Sequence, residues 1–461
     1  MNDLRRVHIV GVGGPGTSAI AVILAEMGLA VSGSDVRESP VIDRLRTFGV
    51  RVNVPHDPSV VAGCDLVTYS AAVRQTNIEL QAAASAGIEV WTRANMLAWI
   101  ARQSRTIAVA GTHGKTTTTT LLTVILREAG QDPGYLIGAE VPQLPHSAHW
   151  GAELFVVEAD ESDSSHRAIA PHATILTNVD VDHLDEHGSF EGIVASFDEY
   201  LAAVPGPKVV CGDDPSAVRL ARKHRALTYG LEAADGGSLD VRATDVRFSE
   251  GGTTFVVTSP LGSAEVRVHL RGVHNVRNCL AAIAMAGEFG VAPDVAVRAL
   301  HNFQGVRRRF DVRAVDTGAT FVDDYAHLPA EISAVLAGVR AEHSGWKRVV
   351  AVFQPNRFNR MAVLSDSYRD AFVDADVVVI TDIYASGTER IEGVTGKLVV
   401  DAIRKAHPTK RVEWHADRGA LVDFVAKEVG AGDLCIFMGC GDIETFPDEV
   451  VARRRELSRA H

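Results

Sequence analysis

The sequence predicts an α/β protein built as three consecutive units, and three observations carry that prediction. Twice, over 7–27 and 106–126, an apolar, β-branched run meets a glycine-rich turn and then an apolar-periodic helix. From residue 313 the alternation of buried strand and helix starts again. In each unit the polar clusters fall where a strand ends, which is where open parallel sheets bind their ligands.

At 461 residues the chain exceeds one ordinary core. A 46% hydrophobic and 23% charged composition is that of a soluble globular protein. The net charge of −12, from 46 basic against 58 acidic residues, argues against nucleic acid as the main partner. No apolar run approaches bilayer-spanning length, and the N-terminus meets a strand without a signal-type apolar region, so no membrane insertion is expected. Five cysteines (Cys64, Cys211, Cys279, Cys435, Cys440) lack C-x-x-C spacing and read as reduced thiols of a cytoplasmic protein.

The first unit, 1–103, opens with a strand over 7–10, then Gly11-Val-Gly13-Gly14-Pro-Gly16, a helix over 18–27, and a strand over 30–34 ending on Asp35. This is the G-x-G-x-x-G layout with an acid about twenty residues on. NAD is its default ligand, but any diphosphate-bearing nucleotide uses the same N–H groups and helix end. Further strands over 50–54, 66–69 and 89–91 extend a small parallel sheet. His8 points inward and reads as packing.

The second unit, 104–312, opens with the strand over 106–109 and Gly111-Thr112-His113-Gly114-Lys115-Thr116-Thr117. Backbone N–H groups and a helix start can face a polyphosphate there, with Lys115 as a mobile cation and the Thr116 hydroxyl as a Mg²⁺ ligand. The loop is shorter than G-x-x-x-x-G-K-[ST], whose first glycine would fall at Val109. A strand over 154–157 ends on Glu158, placed as an acidic metal partner. A strand over 174–177 runs into Asn178 and His183, a second candidate ligand. The three strand ends should converge on one place. Residues 230–269 read as β-rich, with Gly-Gly pairs at 236–237 and 251–252 suggesting antiparallel hairpins. In the helix that follows, Asn275 and Asn278 either read a base edge or, for Asn275, cap the helix. Arg307-Arg-Arg309 closes the unit, with one arginine able to reach a phosphate. The third unit, 313–461, places Asp323-Asp-Tyr325-Ala-His327, Gln354-Pro-Asn-Arg357-Phe-Asn-Arg360 and Asp382 at strand ends.

These clusters, in this order and over essentially the whole chain, resemble the Mur ligases, and within them the alanine-adding branch. The matching stretches are 11–18 and 32–35, 110–119, 158–163, 177–185, 274–278, 323–327 and 353–357. The resemblance implies a Rossmann-like N-terminal domain for a UDP-sugar, a central P-loop ATPase domain with a mostly parallel sheet plus a small β-rich part, and a Rossmann-like C-terminal domain. It resolves the first glycine loop in favour of a UDP diphosphate, with Gly11, Gly13, Gly14, Gly16, Asp35 and Ser70 as contacts. It implies ATP held by residues 111–117 with Asn178, Asn278 and Arg309, and Mg²⁺ or Mn²⁺ at Thr116, Glu158 and His183. Tyr325, His327, Arg357 and Arg360 would receive the amino acid. The implied catalytic set is Lys115, Glu158, His183 and His327, joining L-alanine to UDP-N-acetylmuramate for peptidoglycan synthesis, in a monomer or homodimer. Where other members carry a lysine, carbamylated to ligate metal, this chain has Phe197, as the alanine-adding branch does. Leu328 and Asn356 stand where the family usually has histidine, near the expected amino-acid site. Two other readings follow: a sibling ligase adding another amino acid or a peptide, and a nucleotide-binding relative that no longer ligates.

Overall fold

The computed structural model describes residues 4–70, 72–151, 153–160, 165–180, 189–249, 251–341 and 345–459. Three sheets carry the chain. The first has strands β1 (Arg6–Val10), β2 (Ala30–Ser34), β3 (Arg51–Asn53), β4 (Leu66–Tyr69) and β5 (Glu89–Thr92). They lie in the order β3-β2-β1-β4-β5, all parallel, so the strand order reverses beside β1 and opens a crevice there. Helix α1 (Pro15–Glu26) leaves β1 through the glycine loop, with Pro15 in its first turn, where the missing N–H costs nothing. Helices α2 (Pro40–Thr47), α3 (Ile78–Ser85) and α4 (Arg93–Ala101) start on Ser39, Asn77 and Thr92, whose side chains accept backbone N–H groups of the first turn.

The second sheet has ten strands. Its centre is β6 (Arg105–Ala110), flanked in parallel by β9 (Leu154–Glu158) and β10 (Ala173–Leu176). Beyond β9 come β7 (Gly134–Leu136) and the short antiparallel β8 (Ala148–His149). Beyond β10 come β11 (Lys208–Cys211), β12 (Leu227–Gly230), β13 (Val241–Ser249), β14 (Gly252–Ser259) and β15 (Gly262–Val268). The glycine pair 236–237 does not make a hairpin: β12 and β13 pair in parallel across that connection. The turn after β13 falls at the second glycine pair, and the turn after β14 uses Pro260 and Leu261. The third sheet is mixed. β16 (Asp311–Asp316) pairs antiparallel with β17 (Ala319–Asp324), and β17, β21 (Leu434–Met438), β18 (Val349–Phe353), β19 (Val377–Ile380) and β20 (Arg411–Trp414) follow in parallel.

The chain divides into two compact units. One comprises Met1–Val246, Phe255–Val268 and Asn275–Phe303; the other comprises Arg247–Thr254, His269–His274 and Gln304–His461. In the first unit a continuous apolar core joins the first two sheets' helices, from Ile20 and Leu24 of α1 through Leu97 and Ile100 of α4 to Phe155 and Phe197. The third sheet has apolar residues on both faces, as a sheet covered on both sides must. All five cysteines are free thiols. No described helix is long and apolar enough to cross a membrane.

His8, expected to be packing, is buried within a polar cluster. Its Nδ1 lies 2.9 Å from Ser32 Oγ and its Nε2 3.3 Å from Glu79 Oε2. The same carboxylate oxygen accepts the Ser34 hydroxyl and lies 3.3 Å from His56 Nδ1, while Oε1 accepts the Asp57 amide at 2.8 Å. Burial pushes the Glu79 carboxyl up, but these hydrogen bonds more than offset it and hold it below the usual range. Replacing this carboxylate leaves His8, Ser34 and the Asp57 amide without their partner. Glu79→Leu should destabilise the fold by about 3 kcal/mol and Glu79→Gln by clearly less, read from urea unfolding curves.

Candidate active site

The P-loop is built from two glycines that only glycine can supply. Gly111 (φ +119°) turns the chain out of β6 so closely that an added Cβ would meet Thr177 Oγ1 at 2.2 Å. Gly114 (φ +82°) caps helix α5 (Lys115–Glu128), and an added Cβ would lie 2.6 Å from Asn278 Oδ1. Between them the peptide of His113 is clamped from the end of β10. Asn178 Oδ1 accepts the His113 N–H at 2.9 Å, and Asn178 Nδ2 donates to the His113 carbonyl at 3.0 Å. Thr177 adds its hydroxyl to that carbonyl at 2.6 Å, and His113 Nε2 lies 3.2 Å from Asp180 Oδ2. Thr112 exchanges hydrogen bonds with the Asp180 backbone, and Thr117 is buried in the first turn of α5.

Lys115 folds back over the loop, donating to Gly111 O at 2.7 Å and Thr112 O at 3.1 Å, with Asp160 Oδ1 at 3.6 Å. Thr116 donates to Glu158 Oε2 at 2.9 Å, and the Gly138 amide donates to Oε1 at 2.6 Å. Burial pushes the Glu158 carboxyl up, opposed by those two donors and by the Lys115 charge. A hydroxyl and a desolvated carboxylate side by side form a hard-oxygen pair suited to Mg²⁺, which takes few protein ligands and keeps water and phosphate oxygens. Among the described residues no cluster of three or more His, Cys, Asp or Glu is placed to hold a metal. His183 lies outside the described residues.

Asn178 and Asn278, expected at the nucleotide, both stand against the P-loop. Asn178 is taken up by His113, as above. Asn278 Oδ1 accepts the Thr118 hydroxyl at 3.2 Å, and its Nδ2 donates to Asn275 Oδ1 at 3.0 Å. Asn275 does not cap its helix, which begins at Val273. Phe197 is buried in the core, its ring 5.8 Å from that of His166.

At the first sheet, Gly11 (φ +73°) turns the chain, and Gly11 and Val12 donate to Ser34 O at 2.9 and 3.0 Å. Asp35 accepts the Gly13 amide at 2.9 Å and the Val36 amide at 2.7 Å, so it braces the loop that follows β1. Gly14 caps α1, and Ser70, at the end of β4, lies against Gly11 and Gly14. An added Cβ on Gly16 would lie 2.9 Å from Arg93 Nη1. Sequence reasoning missed Arg93. It begins the helix after β5, so the strand-end rule that found Glu158 applied to it equally.

Within the second unit, Arg308 and Arg309 each place the guanidinium carbon 5.0 Å from the centre of the Tyr325 ring. Arg308 also donates to Asp323 at 3.2 Å and to Gly439 O at 2.7 Å. His327 Nδ1 lies 3.1 Å from Tyr325 O and 3.3 Å from Glu331 Oε2. Arg357 adopts φ +61° and donates its amide to Tyr384 O at 2.9 Å. Arg360 donates to the buried Asn356 Oδ1 at 3.2 Å, and Leu328 is buried.

Three family profiles match in succession: "Mur ligase family, catalytic domain" at 6–105, "Mur ligase middle domain" at 109–286 and "Mur ligase, glutamate ligase domain" at 308–441. The UDP-N-acetylmuramate–L-alanine ligase of Sorangium cellulosum is 42% identical, covering 98% of this chain and 96% of that protein. The chain belongs to the Mur ligase family. The enzyme of the same name from Rubrobacter xylanophilus is 41% identical over 97% of this chain and all of its own length. Among solved structures, the UDP-N-acetylmuramate–alanine ligase of Thermotoga maritima superposes with a TM-score of 0.80 at 27% identity, covering 98% of this chain and 99% of that one. A murein peptide ligase from Psychrobacter arcticus gives 0.70 at 25% identity, covering 97% and 98%. The three-domain α/β architecture of this Mur ligase is thus that of its solved relatives.

Gly114→Ala combines a left-handed backbone with a clash against Asn278. ATP affinity should fall at least about tenfold, measured by calorimetry. In the second unit, burial raises the Asp323 carboxyl to about 6, opposed chiefly by the Arg308 charge, and its Oδ1 is buried without a hydrogen-bond partner. A raised carboxyl stabilises the fold fully below its unfolded value and loses that contribution as pH rises through the folded one. The stability of Asp323→Asn relative to wild type should therefore rise by about 2 kcal/mol between pH 4 and 7, measured by denaturant unfolding across that range.

Proposed function

We propose that this Mur ligase joins L-alanine to the lactyl carboxylate of UDP-N-acetylmuramate at the expense of ATP, in peptidoglycan precursor synthesis. The observation that carries the reading is the pairing of Thr116 with half-buried Glu158 under Lys115, at adjoining strand ends of a P-loop sheet, in a chain about 40% identical to full-length ligases of that activity.

Making an amide from a carboxylate needs a better leaving group than oxide. A lactyl carboxylate oxygen forms a bond to the γ-phosphorus, and the bond to the β,γ-bridging oxygen breaks with its electron pair leaving on ADP. The amine of L-alanine then adds to the acyl carbon of the acyl phosphate, and the tetrahedral adduct expels inorganic phosphate and loses a proton. The first step brings two anions together, so its main demand is electrostatic. The Lys115 ammonium, held at the loop carbonyls, is placed to move onto phosphate oxygens, and the loop amides between Gly111 and Thr117 bind the rest of the triphosphate. Mg²⁺ at Thr116 and Glu158, with His183, supplies further positive charge on those oxygens when bound. Asn178 and Asn278 contribute to the nucleotide site, and Arg309 to phosphate binding. Gly11, Gly13, Gly14, Gly16, Asp35 and Ser70 form the UDP-diphosphate site. Arg357 and Arg360 pair with the amino-acid carboxylate, beside Tyr325, while His327, braced by Glu331, orients or deprotonates the amine. Substrates that are nucleotides place the enzyme in the cytoplasm.

A sibling ligase, adding a different amino acid or a peptide to the same sugar, is favoured at one point: Leu328 and Asn356. One experiment separates the two readings. The full chain is incubated with UDP-N-acetylmuramate, ATP, Mg²⁺ and mixed amino acids, and the product is weighed by mass spectrometry. A product heavier by one alanyl residue is expected; another residue's mass would favour the sibling, and binding without turnover would overturn both. Lys115→Met should lower kcat by about 10²–10³-fold.

A further inference from the structure

The two glycine loops of the first unit belong to different sheets, and Arg93 lies against the first of them, within the field of acids that stand beside the second. It is the first residue of α4, directly after β5. On one side its guanidinium rests on Gly16, where an added Cβ would lie 2.9 Å from Nη1 and 3.2 Å from Cδ. On the other it lies in the field of Asp160 and Glu158, at the end of β9; burial depresses the guanidinium pKa, and these two carboxylates counter it. Asp160 is itself 3.6 Å from Lys115 Nζ. The same acid therefore pairs with the lysine of the P-loop and contributes to the field at the arginine of the UDP-sugar loop.

We propose that Arg93 is a substrate-binding residue of the ligation, its guanidinium taking the carboxylate of the UDP-sugar and holding it for attack on the γ-phosphoryl group. The inference rests on the ligase reading and names a residue for its first step. A guanidinium offers a carboxylate two parallel N–H donors and stays charged when desolvated, which an ammonium does less well. Its position also fits. In the proposed complex a sugar held by its diphosphate at Gly11–Gly16 lies beside Arg93, and that cation neutralises the carboxylate as it approaches the triphosphate. No proton leaves the guanidinium: the carboxylate oxygen bonds to phosphorus, ADP departs with the bridging electron pair, and the arginine then faces a neutral acyl group. Gly16 has a second task in this arrangement, because any side chain there displaces Arg93.

The test compares full-length wild type, Arg93→Met and Arg93→Lys in steady-state assays with UDP-N-acetylmuramate, ATP, Mg²⁺ and L-alanine. Arg93→Met should raise KM for UDP-N-acetylmuramate and lower kcat, each at least tenfold, leaving KM for ATP and L-alanine within twofold. Arg93→Lys, which keeps the stem and the charge, should recover part of both losses. Wild-type constants in Arg93→Met, or an equal loss of affinity for ATP and the sugar, would overturn the proposal, the latter marking a structural role. If circular dichroism shows Arg93→Met unfolded, Arg93→Lys decides: a fall of at least fivefold in kcat/KM for the sugar alone supports the proposal, and unchanged values sink it. A wild-type protein that makes no product removes the ligase reading and the proposal together, so the two failures are told apart.

Discussion

The hydrogen bond from Thr116 to Glu158 joins neighbouring strands at their carboxyl ends, and the nucleotide chemistry of the first unit depends on what that geometry achieves. A half-buried carboxylate stands beside a hydroxyl, one residue from the Lys115 ammonium. Burial pushes its carboxyl above the usual range, opposed by the Gly138 amide, the Thr116 hydroxyl and the Lys115 charge. For the oxygens to stay in place, the loop between them must be stiff. Stiffness comes from β10, whose Thr177 and Asn178 grip both polar groups of one peptide, at His113. Preorganisation of this kind lowers the reorganisation needed as charge develops on the transferred phosphoryl group.

Much of this was legible in the sequence, because strand, glycine turn and helix leave a period and a composition that survive without a structure. The strand over 66–69, those expected over 154–157 and 320–322, which run on to Glu158 and Asp324, and the helix after the P-loop glycines follow from apolar runs and glycine placement. The strands β7, β8, β16 and β20 were not foreseen; β8, β16 and β20 lie at a sheet's margin, where a short strand lacks a buried run on both faces. The parallel pairing of β12 with β13 defeated the hairpin reading because a glycine pair signals a turn but not where the chain goes next. The roles of Asn178 and Arg93 needed three dimensions: each acts on a loop far from it in sequence. His183 carries a place in the motif that only the sequence describes.

The second unit shows how a site can be prepared by backbone and charge at once. Arg357 occupies a left-handed conformation unusual for a side chain of its size, at a turn fixed by the Tyr384 carbonyl. Its neighbour Arg360 is tethered by Asn356, so the two departures from the family pattern are structurally different. Leu328 is absorbed into the core, while Asn356 keeps a polar contact with an arginine expected at the substrate.

Phe197 has a wider consequence. The family resemblance implies a carbamylated lysine as a metal ligand at this place in other members. Here the position is filled by a ring packed against His166 in the core. An aromatic ring has no amine to carry such a group, so a metal bound beside it must take its protein ligands from other residues.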